Sequence, residues 1–216
     1  MKRLILYDLD GTLVDTLEDI VRSANHMLRE MEAPLLSREQ VRRLVGRGMQ
    51  QLIGDCLKTE DSERIARGLA IYRAHYGQHL LDRSRLYPGA RELLDHFQPR
   101  RQAVVTNKPD PFSTTILQAL QIARYFCDVI AGDSRFPRKP DPAAVFAVMR
   151  QVQVSPQEVI FIGDSAIDVE TGRNAGVLTV AVGHGLGDLE ELQAARPDVL
   201  ADDLFDVLDR ARREGW

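Results

Sequence analysis

Two aspartates follow the first apolar segment of the chain. Asp8 and Asp10 come directly after Leu4–Tyr7, and Gly11 follows them. Side chains two residues apart in an extended segment point to the same side, so the two carboxylates are expected to lie near each other. Gly11 tolerates the backbone angles of the sharp turn that we expect next. Carboxylates placed together in this way can bind a cation and exchange protons.

Three further groups of polar residues occupy comparable positions. One offers a hydroxyl and polar donors where an apolar segment ends, one holds a lysine beside a proline just before a helix, and one brings two more carboxylates. Ligands bind beyond the carboxyl ends of the strands of a parallel sheet, so we expect these groups to converge there. They are Val105-Thr106-Asn107-Lys108, Arg138-Lys139-Pro140-Asp141-Pro142 and Gly163-Asp164-Ser165-Ala166-Ile167-Asp168.

The charges of these groups do not balance. Four aspartates contribute negative charges, and Lys139 returns one positive charge. Like charges a few ångströms apart repel by roughly 4 kcal/mol at a moderate effective dielectric constant. A divalent cation relieves this repulsion, and a site of oxygen ligands without histidine or cysteine favours Mg2+. The four aspartates are Asp8, Asp10, Asp164 and Asp168.

Short apolar segments alternate with helical patterns along most of the chain. Several segments are apolar throughout, as expected of strands that are covered on both faces. This alternation predicts an α/β fold, a doubly wound parallel sheet with a Rossmann-like core. The predicted strands are Leu4–Tyr7, Ala103–Val105, Val129–Ala131, Val159–Ile162 and Leu178–Val182, with a weaker sixth at Val199–Ala201.

One stretch interrupts the alternation after the first strand. From about Thr16 to Arg83 the pattern predicts helices only, and Asp15 with Glu18 is typical of a capping box that opens the first of them. Ser37 with Gln40 predicts a second box, and a helix break is expected at residues 46–48. The prediction is therefore an inserted helical cap domain, residues 15–84, in a catalytic core of residues 1–14 and 85–216.

Composition excludes several other functions. The net charge is −4, with 44% hydrophobic and 28% charged residues, so we expect a globular protein without nucleic-acid or membrane partners. The first apolar run is too short for a signal peptide or a membrane span, and Cys56 and Cys127 match no metal-binding spacing. These features predict a cytoplasmic protein.

The four groups, in this order, resemble the motifs of the haloacid dehalogenase-like hydrolase superfamily. The resemblance covers essentially the whole chain, including the helical insertion, and is strongest to the phosphoglycolate phosphatase-like branch. It implies an enzyme that acts on a small phosphorylated metabolite, as a monomer or homodimer. It implies that Asp8 is the nucleophile that accepts a phosphoryl group and that Asp10 is the general acid and then the general base. It further implies that Thr106 and Asn107 hold the phosphoryl oxygens and that Lys139 neutralises their charge.

The same resemblance implies the metal ligands. Asp8, the backbone carbonyl of Asp10, and Asp164 would bind Mg2+, and Asp168 would support the metal nearby or through water. A carboxylate is a weak nucleophile, so a phosphatase of this kind needs a cation and a lysine to reduce its repulsion with phosphate.

Two residues outside the motifs are ambiguous. Arg47 lies between two glycines at the predicted helix break, where it is either a solvated loop residue or a guanidinium that binds an anionic group of the substrate under the cap. His184 follows the fifth strand, from which it could reach the cleft; we interpret it as a solvated loop residue and leave it out of the site.

Several activities share this set of motifs. The leading prediction is hydrolysis of 2-phosphoglycolate; phosphatases for sugar phosphates or amino-sugar acid phosphates, and pyrophosphatases, are the nearest alternatives. A phosphomutase of the beta-phosphoglucomutase type would use the same residues, although Thr12 after Gly11 favours a phosphatase. A dehalogenase would have no need of Asp10. A non-catalytic binding module is the alternative from a different class.

Overall fold

The main sheet of the protein has six parallel strands. A computed structural model describes all of residues 1–216, and the strand order is β5-β4-β1-β6-β7-β8. In chain order within this sheet the arrangement is 3-2-1-4-5-6, that of a doubly wound fold, so the predicted fold class is confirmed. The strands are β1 (Leu4–Tyr7), β4 (Arg101–Val105), β5 (Asp128–Ile130), β6 (Val159–Gly163), β7 (Leu178–Val182) and β8 (Val199–Ala201).

Strand β1 lies at the centre of the sheet, where the strand order reverses. All four of its residues are buried, because helices cover both faces. Leu4 and Leu6 pack against one hydrophobic cluster and Ile5 and Tyr7 against the other, as alternation along a strand requires. The backbone N–H of Asp8 still donates to the carbonyl of Ile162 at 2.9 Å, which aligns the ends of β1 and β6.

Helices of the core connect these strands and pack on both faces of the sheet. Helix α8 ends at Gly176, whose φ of 70° is the left-handed conformation predicted for that glycine. None of the helices combines the length and the apolar character that a membrane span requires. The core helices are α5 (Ala90–His96), α6 (Phe112–Ala119), α7 (Ala143–Val152), α8 (Ala166–Ala175), α9 (Leu189–Ala194) and α10 (Leu204–Glu214).

Four helices lie between residues 16 and 84, in the insertion that follows the first strand. A short antiparallel ribbon of β2 (Val14–Asp15) and β3 (Arg85–Leu86) joins this insertion to the rest of the chain. The carboxylate of Asp19 accepts hydrogen bonds from the backbone N–H groups of Arg83 and Ser84, which fixes the point where the chain returns. The helices are α1 (Leu17–Glu30), α2 (Arg38–Arg42), α3 (Met49–Leu57) and α4 (Ser62–His79).

The two predicted capping boxes have different outcomes. Ser37 and Gln40 form the expected box at the start of α2, which confirms that prediction. The box of Asp15 and Glu18 is wrong, because α1 follows Thr16 and has no side-chain cap. Asp15 belongs to β2 instead, and its carboxylate lies 2.9 Å from Arg85 in the paired strand.

Candidate active site

Three buried carboxylates meet at the carboxyl edge of the sheet. Asp8 follows β1, Asp164 follows β6, and Asp168 lies in the first turn of α8. One oxygen from each lies within 4.8 Å of the other two. The sequence-predicted groups therefore do converge in space, and this cluster has the donor chemistry of a site for a divalent cation.

Lys139 lies between two of these carboxylates. Its ammonium nitrogen is 2.7 Å from Oδ1 of Asp8 and 2.6 Å from Oδ1 of Asp168, and its side chain is only 3% exposed. Burial alone would lower the pKa of Lys139, but Asp168 and Asp8 raise it above its ordinary value. Lys139 is therefore a permanent positive charge beside Asp8.

The cluster still carries an excess of negative charge. Burial first, and then the charges of Asp168 and Asp8, raise the pKa of Asp164 to about 8. Burial and the neighbouring aspartates also raise the pKa of Asp8 to about 6, against the opposing effect of Lys139. Carboxyl groups that retain protons near neutral pH are a sign that a bound cation would stabilise this arrangement.

Asp164 is held rigidly by the loops around it. Its Oδ1 accepts a hydrogen bond from the Thr12 hydroxyl at 2.8 Å, and its Oδ2 accepts one from the backbone N–H of Leu186 at 2.7 Å. A Cβ atom at Gly11 or Gly185 would lie 2.2 Å from atoms of this side chain. Glycine is required at both positions because the backbone approaches the carboxylate so closely.

Asp10 lies outside this cluster and forms an ion pair with a different lysine, Lys108. Its Oδ1 accepts a hydrogen bond from Thr16 at 2.7 Å, and Lys108 Nζ lies 2.9 Å from Oδ1 and 3.0 Å from Oδ2. The four aspartates and Lys139 together have a formal charge of minus three. When Lys108 is included, the formal charge of the site is minus two, which one divalent cation neutralises.

Lys108 is the residue that sequence reasoning missed. It stands in the polar group after β4, but a flexible lysine at a strand end more often points to solvent. In the structure its side chain is only 4% exposed, and it also donates to the hydroxyl of Tyr76 in α4 at 2.7 Å. No local pattern in the sequence indicates this pairing, because Lys108 and Tyr76 belong to separate elements.

Asn107 performs a structural task that the sequence did not predict. Its Nδ2 donates to the carbonyl oxygens of Gly46 at 2.9 Å and Lys139 at 3.1 Å, and its Oδ1 accepts from the backbone N–H of Lys139. Both amide hydrogens are thereby engaged. The Asn107 side chain thus connects the loop of Lys139 to the helical insertion. The hydroxyl of the neighbouring Thr106 accepts a hydrogen bond from the backbone N–H of Lys108 and can still donate its own hydrogen to a ligand.

A cavity of about 50 Å³ lies between the insertion and the strand ends. Asp8, Asp10, Thr106 and Lys108 line it from the core. Its volume corresponds to about four water molecules, at roughly 10–15 Å³ each. The apolar residues of the insertion that close it are Ile20, Val45, Met49, Leu52 and Tyr72.

The two ambiguous residues have unexpected surroundings. Gly46 and Gly48 line the cavity, but Arg47 between them is exposed and lies in an outer depression with Gln50 and Arg138. This position gives no support to a contact between Arg47 and the substrate. The interpretation of His184 as solvated is wrong, because it is half-buried, packs against an aromatic ring and lies 3.2 Å from the carbonyl of Thr12.

Comparison with known proteins agrees with this geometry. Residues 5–182 match the haloacid dehalogenase-like hydrolase family. A phosphoglycolate phosphatase of Vibrio parahaemolyticus is 36% identical over 96% of this chain and 95% of its own length. One from Pseudomonas savastanoi is 35% identical over 94% of this chain and 78% of its own.

A solved structure shares the whole architecture. The crystal structure of a predicted phosphoglycolate phosphatase from Haemophilus somnus superposes with a TM-score of 0.92, at 30% identity, over 97% of this chain and 98% of its own. These matches agree with the buried acidic cluster and the lysine beside it, and together they identify the protein family. The chain belongs to the haloacid dehalogenase-like hydrolase family, in its phosphoglycolate phosphatase-like branch, and is a phosphatase that acts on small phosphorylated substrates.

Proposed function

We propose that this enzyme hydrolyses a small phosphomonoester, 2-phosphoglycolate, with Mg2+ and through an aspartyl-phosphate on Asp8. The observation that carries the proposal is the position of Asp8, whose Oδ1 lies 2.7 Å from Lys139 in a cluster of buried carboxylates. The small cavity on the side of Asp10 supports a leaving group of only a few atoms. The names of the relatives support the choice of substrate.

The carboxylates of Asp8, Asp164 and Asp168, with the backbone carbonyl of Asp10, would hold the Mg2+. All of these donors are oxygen atoms, which suit a hard divalent cation. When bound, the cation supplies charge neutralisation that lets a phosphate dianion approach a carboxylate.

The residues of the chain would then carry out two displacements. Asp8 Oδ attacks phosphorus, the ester P–O bond breaks, and Asp10 gives its proton to the leaving oxygen. Thr106 and Lys139 bind the phosphoryl oxygens during transfer. In the second step Asp10 takes a proton from water, the water oxygen bonds to phosphorus, and the bond to Asp8 breaks.

We also propose that residues 15–84 act as a cap domain on a core formed by residues 1–14 and 85–216. Arg42 Nη1 donates to the carbonyl of Leu186 at 2.7 Å, and Asn107 donates to Gly46, so the insertion contacts the site loops directly. A cap docked in this way would limit the access of water to the cavity, which favours phosphoryl transfer to a carboxylate.

A panel of phosphate esters tests the proposed function. Protein dialysed against EDTA should release no phosphate, and Mg2+ should restore the release. Among 2-phosphoglycolate, sugar phosphates and pyrophosphate, the highest kcat/KM is expected for 2-phosphoglycolate. Full activity after removal of metal would contradict the cation requirement, and a higher kcat/KM for another ester would contradict the substrate.

A further inference from the structure

A buried chain of polar contacts connects the helical insertion to Asp10. Tyr76 lies in α4, is fully buried, and accepts a hydrogen bond from Lys108 Nζ at 2.7 Å. The same nitrogen lies 2.9 Å and 3.0 Å from the two oxygens of Asp10. The three N–H bonds of the ammonium group thus match three acceptors, two on the core and one on the insertion.

The surroundings fix Tyr76 firmly. The Tyr76 ring packs edge-on against Phe112, with 5.2 Å between the ring centroids, and is stacked on Tyr72 at 5.4 Å. Lys108 Nζ lies 4.7 Å from the centroid of the Tyr76 ring. Burial also raises the pKa of Tyr76 well above its ordinary value, so the hydroxyl stays protonated. Lys108 therefore has a rigid, neutral partner on the insertion side.

We propose that Lys108 is a positioning residue: it orients Asp10 for the step in which water attacks the aspartyl-phosphate. Tyr76 holds Lys108 in place for this step when the insertion is docked. This inference rests on the proposed role of Asp10 as the base of the second step. An ion pair with both carboxylate oxygens fits that step, since Asp10 must then be ionised and correctly oriented. Release of the insertion would remove the hydroxyl and leave Lys108 free to turn away.

Tyr76→Phe is the matched variant, because it deletes only the hydroxyl and keeps the ring. With an aryl phosphate, whose good leaving group needs little protonation, the rate of formation of the aspartyl-phosphate should change by less than about twofold. Its decay should slow by about three- to tenfold, the range expected for one hydrogen bond. Acid-quenched samples should therefore contain more phosphorylated protein at steady state than the wild type.

Two controls separate positioning from a general loss of structure. Tyr125→Phe also removes a tyrosine hydroxyl that donates to a carboxylate, in this case the partly buried contact with Asp95. Neither residue lines the cavity, so this variant should leave both rates unchanged. Adding Tyr76→Phe to Asp10→Asn should slow the decay no further than Asp10→Asn alone, because the two residues act as a unit.

The outcomes are distinguishable. If the wild type forms the aspartyl-phosphate and Tyr76→Phe hydrolyses it at the wild-type rate, the positioning proposal is overturned and the proposed function stands. Equal slowing of formation and decay would also overturn it, since that result indicates a general structural effect. If the wild type forms no phosphorylated protein at all, the proposed function itself fails.

Discussion

Lys139 and Asp8 form an ion pair in which the ammonium nitrogen lies 2.7 Å from Oδ1 of the carboxylate. The two residues are separated by more than half the chain and meet because β1 and the loop before α7 end at the same edge of the sheet. A carboxylate that is buried and paired with a cation can be both oriented and reactive towards an anionic substrate.

The nucleophile is tested by Asp8→Asn. The change is nearly isosteric and removes the attacking charge, so phosphatase activity should fall by about a thousandfold or more while the protein remains folded. Asp128→Asn is the control, since Asp128 begins β5 at the opposite edge of the sheet. Activity above about one tenth of the wild type in purified Asp8→Asn would contradict the assignment.

The proton donor is tested by Asp10→Asn with two substrates. The loss of kcat/KM should be about a hundredfold or more for an alkyl phosphate and much smaller for an aryl phosphate, whose leaving group needs little protonation. Metal binding should be preserved, because the backbone carbonyl remains. Equal losses on both substrates would argue against a role of Asp10 as general acid.

Metal binding and pH should be linked through Asp164. Without metal its pKa is about 8 in the folded protein, above the ordinary value of an unfolded aspartate. The folded state then binds more protons than the unfolded state between about pH 4 and pH 8, so stability falls as pH rises through this range.

Thermal unfolding in EDTA at pH 6 and pH 8 measures this effect. The Tm should be lower at pH 8 by about 2–4 °C for each kcal/mol lost, and Mg2+ should raise it more at pH 8 than at pH 6. Asp164→Asn should weaken both trends. A stabilisation by Mg2+ that is equal at the two pH values would show that the metal binds elsewhere.

Arg47→Ala decides between the two interpretations of that residue. A clamp on the substrate predicts a loss of about ten- to a hundredfold in kcat/KM for 2-phosphoglycolate, the range of a charge-assisted hydrogen bond. The exposed position of Arg47 outside the cavity favours a change of less than about threefold, which is the result we expect. The ratio of kcat/KM for 2-phosphoglycolate and a neutral aryl phosphate, in wild type and variant, measures the difference.

Much of the fold could be predicted because its signals are local. Strands that are buried on both faces produce continuous apolar runs, and polar motifs at their ends must then converge. The ribbon of Val14–Asp15 and Arg85–Leu86 could not be predicted, because two residues per strand are too few for any periodicity. The same ribbon explains the error at Asp15, whose role is set by a partner 70 residues away.

The finer contacts of the site depend on tertiary structure. Lys108 reaches Asp10 and Tyr76 only because α4 packs over the end of β4, and no spacing in the sequence encodes that distance. Asn107 likewise has its amide engaged by Gly46 of the insertion. The residue types at the strand ends were enough to predict the chemistry of the site. The role of each side chain could be assigned only from the structure, because it depends on how the insertion packs on the core.

The phosphorylated residue can be identified by acid-quenching the enzyme during its first turnovers with Mg2+ and substrate, and then mapping the phosphorylated peptide. We expect one phosphoryl group on Asp8, which appears before phosphate is released, is cleaved by hydroxylamine and is absent from Asp8→Asn. Release of phosphate with no protein-bound phosphoryl group at any time, or a phosphoryl group on another residue, would contradict it.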